Sequence, residues 1–186
     1  KSTAFYGTGL TSINIPASVE TIETGAFLNN YSLTSISVDK NNAAYSSDSK
    51  GILFSKDKTR LILCPQGFAG NYTVPSGVKV IAEVAFQNCK SLTGITIPSS
   101  VTTIERFVFG TCDELASVTL SEGLQVIGKE AFYGCEKLVS IEIPGSVTMI
   151  ENSAFSWCRG LKDLWFLGDA PTFGEYLFSL VTANAH

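Results

Sequence analysis

The stretch Leu138–Gly160 reads LVSIEIPGSVTMIENSAFSWCRG, and its apolar residues recur every 23 positions through most of the chain. The shared pattern is L-x-x-I-x-I-P-x-x-V-x-x-I-x-x-x-A-F-x-x-C-x-x. Further copies open at Leu10, Leu33, Leu92 and Leu115, and an irregular copy lies between the second and third of these. A fixed period of this length indicates a solenoid, in which each repeat buries its apolar face against its neighbours.

The spacing predicts one solenoid domain over residues 1–186. Its divisions are a partial repeat over 1–9, repeats over 10–32, 33–68, 69–91, 92–114, 115–137 and 138–160, and a degenerate C-terminal repeat or cap over 161–186. The repeat at 33–68 is longer than the period. Its apolar runs at 51–55 and 60–64 flank the polar stretch 56–59, which predicts a β-hairpin insert.

Within a repeat, L-x-x-I-x-I predicts a strand that the following Pro ends, because Pro has no N–H to donate to a ladder. The V-x-x-I step predicts a bend, and A-F-x-x-C predicts a short helical or 3₁₀ segment. The expected fold is a mainly β, right-handed leucine-rich-repeat-like arc, with a parallel sheet on one face and helical segments on the other. Its buried ladder would contain Phe27, Phe86, Phe109, Phe132 and Phe155.

Composition narrows the classes of function. The 186 residues carry a net charge of −4, and charged residues make up 16% of the chain, below the roughly 25% of ordinary domains. This acidic, weakly charged chain lacks the basic surface that binds nucleic acid. No apolar run approaches the roughly 18 residues of a membrane span, so we expect none in this chain.

Four cysteines, Cys89, Cys112, Cys135 and Cys158, share one repeat position. Zinc sites place ligands in pairs two to four residues apart, and stacked side chains that point the same way do not converge on a disulfide. We therefore expect buried free thiols, no metal and no cofactor. Cys64 lies outside this row and is expected in the core.

Catalytic patterns are nearly absent. The single histidine is the last residue, His186, which disfavours Ser-His and Cys-His catalysis, and the row Glu23, Glu105 and Glu151 is expected to form a solvated edge. The motif over 123–129 (GLQVIGK) resembles the opening of a phosphate-binding loop, but Glu130 stands where Ser or Thr is needed. The sequence predicts a protein without enzymatic activity.

The recurring I-x-I-P-x-x-V-x-x-I-x-x-x-A-F-x-x-C unit resembles the BspA-like leucine-rich repeat family of bacterial surface proteins. Asn42-x-x-Tyr45 ahead of the hairpin also resembles an insert in this family. The resemblance implies a secreted or cell-surface protein used in adhesion or partner binding. The chain departs from the usual leucine-rich repeat, because Ser100 and Ser146 stand where an Asn ladder would run.

Outward strand positions are the candidate binding surface, because solenoid sheets form extended interfaces. Most of these residues are small, as at Thr96 and Thr119, whereas Glu142, Asp163 and Trp165 add charge and an aromatic ring near the C-terminal end. Alternatively, Thr simply suits strands and Trp165 covers the last repeat. The prediction is a monomeric adhesion module that binds an extracellular-matrix or cell-surface protein; a glycan-binding domain or a structural spacer is the alternative.

Overall fold

A computed structural model describes residues 4–181 and 184–185 as a β-solenoid of stacked coils. Its strands are β1 (Ser12–Ile15), β2 (Ser35–Val38), β3 (Tyr45–Ser47), β4 (Leu53–Ser55), β5 (Arg60–Leu63), β6 (Ala69–Thr73), β7 (Val80–Ile81), β8 (Ser91–Ile97), β9 (Thr103–Ile104), β10 (Ser117–Leu120), β11 (Val126–Ile127), β12 (Ser140–Ile143), β13 (Met149–Ile150), β14 (Asp163–Phe166), β15 (Thr172–Phe173) and β16 (Asn184–Ala185). Each regular coil has three sides: a long strand, a short strand and a turn segment.

The long strands β1, β2, β6, β8, β10, β12, β14 and β16 form the strand face. They pair in parallel within three separate sheets, β1–β2, β6–β8–β10 and β12–β14–β16. Ile36 lies opposite Ile13 and Leu164 opposite Ile141, as the sequence period predicts. Pro16, Pro98 and Pro144 directly follow the ends of β1, β8 and β12, as predicted. The leucine-rich-repeat-like solenoid with a parallel sheet is thereby confirmed.

The second side differs from the predicted bend. The last residues of each V-x-x-I step form the short strands β7, β9, β11, β13 and β15, which pair in parallel as a second ladder. Strand β5 of the insert joins this ladder through Leu61, which lies opposite Ile81, and β4 and β3 extend it as antiparallel strands. The predicted hairpin at 51–64 is therefore part of a sheet of eight strands.

The third side is the turn segment, eight residues from the one after the ladder Ile to the Cys position, such as 82–89 and 105–112. The predicted helical or 3₁₀ character is wrong, because the described residues contain consecutive turns and no helix. Two positions of each segment have positive φ, which ends a helical run after at most three residues. These positions are Gly25 and Asn29, Val84 and Asn88, Phe107 and Thr111, Glu130 and Gly134, Ser153 and Trp157, and Tyr176 and Leu180.

Backbone hydrogen bonds of the turn segments alternate between two kinds. The N–H of Phe86 donates to the carbonyl of Val108 in the following coil at 2.9 Å, whereas the N–H of Cys89 donates to the carbonyl of Phe86 in its own coil at 3.0 Å. Donation toward the following coil recurs at the N–H groups of residues 84, 86 and 88 and their equivalents. At the edges of the strand face the direction is reversed, as where Ala116 N–H donates back to Thr93 C=O.

The core is built from the predicted ladders. Phe86, Phe109, Phe132 and Phe155 have no exposed area, and successive rings stack with centroids 5.1–5.4 Å apart. Phe27 is also buried, which confirms all five predicted positions, but it stacks on Phe5 in a separate core cluster. The ladder is thus interrupted between the coil of Phe27 and the coil of Phe86.

The insert-bearing coil causes this interruption, because it lacks a complete turn segment. After Leu61 only residues 62–68 precede β6, and the buried amide of Gln66 replaces part of the missing backbone. Its Oε1 accepts from Asn30 N–H at 2.8 Å and its Nε2 donates to Gln87 C=O at 2.9 Å. One side chain therefore joins the two neighbouring coils.

Asn42 connects the N-terminal end of the insert to the first repeat by hydrogen bonds. Its buried amide donates to the carbonyls of Pro16 and Val19 and accepts from the N–H groups of Ala44 and Tyr45, at 2.7–2.9 Å. All four groups thus find their partner in one side chain. The Asn42-x-x-Tyr45 pattern therefore connects the insert to the first repeat.

The coil that opens at Leu161 continues beyond the polar stretch 168–171. Phe173 of β15 lies opposite Ile150, and the Phe178 ring stacks on Phe155 at 6.2 Å. No helix among the described residues has the length and apolar character to cross a membrane.

Candidate binding surface

Glu142, Asp163 and Trp165 lie together on the strand face. The parallel register sets Glu142 of β12 directly opposite Trp165 of β14, and Asp163 opposite Ser140. Glu142 alternates with the buried Ile141 and Ile143, so it points outward, and 45% of Trp165 is exposed. Two carboxylates and an indole thus occupy adjacent strands of one surface.

Thr96 and Thr119 continue the same outward row. They lie opposite one another on β8 and β10, and Thr119 is exposed whereas Thr96 is half-buried. Between β10 and β12 the strand face divides into separately hydrogen-bonded sheets. A polar groove of about 220 Å³ lies at this division, lined by residues 116–120 and 140–142. The groove connects Thr119 to Glu142, so four candidate residues border one continuous surface and Thr96 lies beside it.

Structural roles account for two of the three carboxylates considered for catalysis, Glu105 and Glu151. Glu105 accepts the backbone N–H of Glu83 at 2.8 Å and binds the Arg60 guanidinium through both oxygens, at 2.8 and 2.6 Å. Glu151 accepts the N–H of Lys129 at 2.8 Å. These glutamates therefore complete the backbone hydrogen bonding of the preceding coil, and His186 lies outside the described residues.

The cysteine row is a row of buried free thiols. The Sγ of Cys112 donates to the carbonyl of Phe86 in the preceding coil at 3.0 Å, and the first complete coil has Asn30 in this position, donating to the equivalent carbonyl of Phe5. Burial raises the pKa of Cys89, Cys112 and Cys135 well above the ordinary value, so these thiols stay protonated. Among the described residues no cluster of His, Cys, Asp and Glu could hold a metal ion.

The two glycines of the phosphate-loop-like motif have a packing reason. A Cβ on Gly123 would lie 2.3 Å from the carbonyl oxygen of Ser99, and one on Gly128 would lie 2.6 Å from the carbonyl carbon of Glu105. The backbone of the preceding coil therefore leaves room only for glycine at both positions. Leu124 and Ile127 are buried core residues of the same stretch.

An aromatic row on the turn segments was not expected from the sequence. The ring centroids of Phe107 and Tyr133 are 5.6 Å apart, those of Tyr133 and Trp157 are 6.3 Å apart, and the Arg159 guanidinium lies 5.0 Å from the Trp157 ring. Contacts from Tyr133 and Arg159 occupy the Trp157 ring. This arrangement weakens Trp157 as a stacking platform for a sugar.

A cleft beside the insert was also missed. It lies between the turn segments 23–30 and 82–89, where the insert-bearing coil has no complete segment, and we call it the notch. Its volume is about 310 Å³, and its lining includes Phe27, Tyr45, Arg60, Leu63 and Glu83. The available signal was the absence of an A-F-x-x-C unit from residues 33–68.

Solved structures of bacterial leucine-rich repeat proteins resemble this solenoid. The pneumococcal vaccine antigen PcpA superimposes with a TM-score of 0.81 at 26% identity, over 94% of this chain and 45% of that one. A leucine-rich cell surface protein from Faecalibacterium prausnitzii gives 0.71 at 30% identity, over 89% of this chain and 50% of that one. A leucine-rich repeat protein from Eubacterium ventriosum, at 21% identity and a TM-score of 0.68 over 95% of this chain and 60% of that one, shares the fold.

The chain therefore spans about half of the length of the first two relatives. No curated protein matches the sequence significantly. The family model for the BspA type leucine rich repeat region matches residues 1–51 and 69–183 in six copies, leaving out residues 52–68 of the insert-bearing coil. Together with the coil geometry, this match shows that the chain belongs to the BspA-type leucine-rich repeat family.

Proposed function

We propose that this chain is a non-catalytic, monomeric protein-binding module of a secreted or cell-surface bacterial protein, used in adhesion. Its partner is a protein of the extracellular matrix or of a cell surface. The binding surface is the part of the strand face that contains Thr96, Thr119, Glu142, Asp163 and Trp165.

The adjacency of Glu142 and Trp165 carries this proposal. A half-exposed indole beside a carboxylate offers an apolar anchor with a charged rim, and Trp is enriched among residues that dominate binding energy. The neighbouring threonines are short and leave the strand face open to a broad partner. Membership of a family of surface proteins supports the same class of function.

Binding to immobilised matrix proteins, mucins and glycans tests the proposal. The double variant Asp163→Ala, Trp165→Ala should weaken binding to a protein partner at least tenfold, and Glu142→Gln should weaken it less. Tyr176→Ser is the matched control, because Tyr176 is 73% exposed on a turn segment away from the strand face. Circular dichroism and thermal unfolding check that each variant is folded.

Each outcome decides between the candidate functions. Selective loss of a protein partner in the double variant supports the adhesion module. Unchanged binding, or equal loss in Tyr176→Ser, would show that the surface is wrong. Binding restricted to glycans would favour the glycan-binding alternative, and a folded chain that binds none of the probes would favour a spacer.

A further inference from the structure

The insert hairpin, formed by β4 and β5, separates two hydrophobic cores. Successive side chains of a strand point to opposite faces. In β4, Leu53 belongs to the smaller core together with Phe27, whereas Phe54 belongs to the larger core together with Phe86. The regular coils that follow share the larger core without interruption. The hairpin is therefore a partition with a core on each of its faces.

Residues 4–38, which we call the N-terminal unit, lack the ladders that join regular coils. On the strand face, β2 pairs with β1 and not with β6, and on the second side the ladder ends at β3 of the insert. On the turn segments, Gly25, Phe27 and Asn29 hold the positions that donate to the following coil elsewhere. Among the described residues they donate to no carbonyl of that coil. All three ladders of backbone hydrogen bonds are thus interrupted at the level of the notch.

Individual hydrogen bonds hold the N-terminal unit to the insert-bearing coil instead. Two of them join backbone groups. Ile36 N–H donates to Gly51 C=O at 3.0 Å, and Gly67 N–H donates to Leu33 C=O at 2.7 Å. Further bonds depend on side chains of the insert-bearing coil, which are Asn42, Tyr45 and Gln66. Because the coupling between neighbouring coils of a solenoid is a sum of such contacts, this junction couples its two sides less strongly than a regular one.

We propose that the N-terminal unit unfolds as one cooperative unit, separating from the hairpin while the coils over 69–181 stay folded. Solenoids open at the junction with the weakest coupling, and this unit is below the roughly 40 residues that a chain needs to stay folded alone. Opening exposes Tyr45 and Leu53, which are buried in the closed chain. Glu142 and Trp165 lie in the part that stays folded, so this movement is independent of the proposed binding surface.

Native-state hydrogen exchange of the whole ¹⁵N-labelled chain tests the proposal. Ala26 and Leu33 are compared with the equivalent Ala131 and Leu138, because all four are buried and their N–H groups donate within their own coil. The protection factors of Ala26 and Leu33 should be at least tenfold lower, and in low urea the slow amides over 13–36 should exchange through one common opening. Equal protection of the two pairs, or a gradual rise of protection along 13–36 as expected for fraying from the chain end, would overturn the proposal.

Two chain variants separate local opening from a loss of overall stability. Gln66 bonds two backbone groups across the junction, and Ser146 bonds two backbone groups of a regular coil. Gln66→Met should lower the protection of Ala26 and Leu33 at least tenfold. Ser146→Ala should lower the protection of Leu138 and leave that of Ala26 and Leu33 unchanged, because their exchange does not require the larger core to unfold. Equal losses at all three amides in Ser146→Ala, or no change at Ala26 in Gln66→Met, would show that the chain unfolds as a single unit.

Discussion

The coil over 115–137 and the insert-bearing coil over 33–68 close the same solenoid in different ways. The regular coil uses a ring of the Phe ladder and a thiol that donates to the preceding coil. The insert-bearing coil relies on the buried amides of Asn42 and Gln66. The comparison teaches that in repeated coils the backbone hydrogen bonds are made by groups that recur in every repeat. In an interrupted coil they are made by individual polar side chains that are long enough to reach the neighbouring coils.

The largest expected effect is the loss of stability on truncating a ring of the Phe ladder, and it should differ between the two core clusters. Phe109 stacks on both Phe86 and Phe132, so Phe109→Ala should lower the free energy of unfolding by about 5 kcal/mol. Phe27 stacks on Phe5 and lines the notch, so Phe27→Ala should cost about 3 kcal/mol. Urea unfolding measures both free energies. A larger loss in Phe27→Ala than in Phe109→Ala would contradict the expected difference between the two clusters.

The insert should depend on the Asn42 amide. Asn42→Leu leaves four backbone groups without their partner and should cost about 4 kcal/mol, because such groups cost roughly 1–3 kcal/mol each and the low end applies where most of them are only partly buried. Ser146→Ala is a control in a regular coil, where one hydroxyl bonds two backbone groups and the loss should be about 1 kcal/mol. Differential scanning calorimetry compares the two variants. Equal losses would show that the interrupted coil does not depend on its polar side chains.

Alkaline pH should destabilise the regular coils through their thiols. The raised pKa of Cys112 means that its stabilising effect is complete below the ordinary value of 9.0 and declines as the unfolded chain loses its thiol proton above that pH. Cys112→Ser removes this titration. The unfolding free energy should therefore fall less steeply in the variant, by about 1.4 kcal/mol per pH unit above pH 9. Urea titrations between pH 7 and 10 check this, and parallel curves would contradict it.

The smallest expected effect concerns the ion pair on the second side. Arg60 and Glu105 are bidentate but partly exposed, so Arg60→Gln should cost at most about 1 kcal/mol, and less in 1 M salt. Lys90→Gln, which removes a single contact to Asp113 at 3.3 Å, is the control with no measurable effect. Chemical unfolding at two salt concentrations distinguishes them. A loss above 2 kcal/mol would mean that Arg60 also holds the insert in register.

The sequence period predicts the strand register and the buried Phe and Cys ladders, because equal spacing stacks equal residues. It does not predict the turn segments, since A-F-x-x-C has helical spacing whether or not neighbouring residues have positive φ. Asn29, Asn88 and Gly134 hint at that conformation, which Asn and Gly tolerate, but Val84 and Trp157 give no such signal.

The proposed binding surface is less predictable from the sequence than the fold. The alternation of apolar and polar residues in the strand correctly indicates that Glu142 is exposed, and the 23-residue period correctly places Trp165 opposite it. The groove between β10 and β12 depends on a division of the strand face that no single residue encodes. The notch depends on the absence of a segment, which a search for recurring residues overlooks.

The opposed hydrogen bonds of the turn segments and strand edges have an electrostatic consequence. Peptide groups of the turn segments point their N–H toward the C-terminal end of the stack, and those at the strand edges point theirs toward the N-terminal end. Their dipoles oppose one another, whereas those of an α-helix add along its axis. A long array of such coils therefore builds up little field along its length, and repeats can be added without polarising its ends.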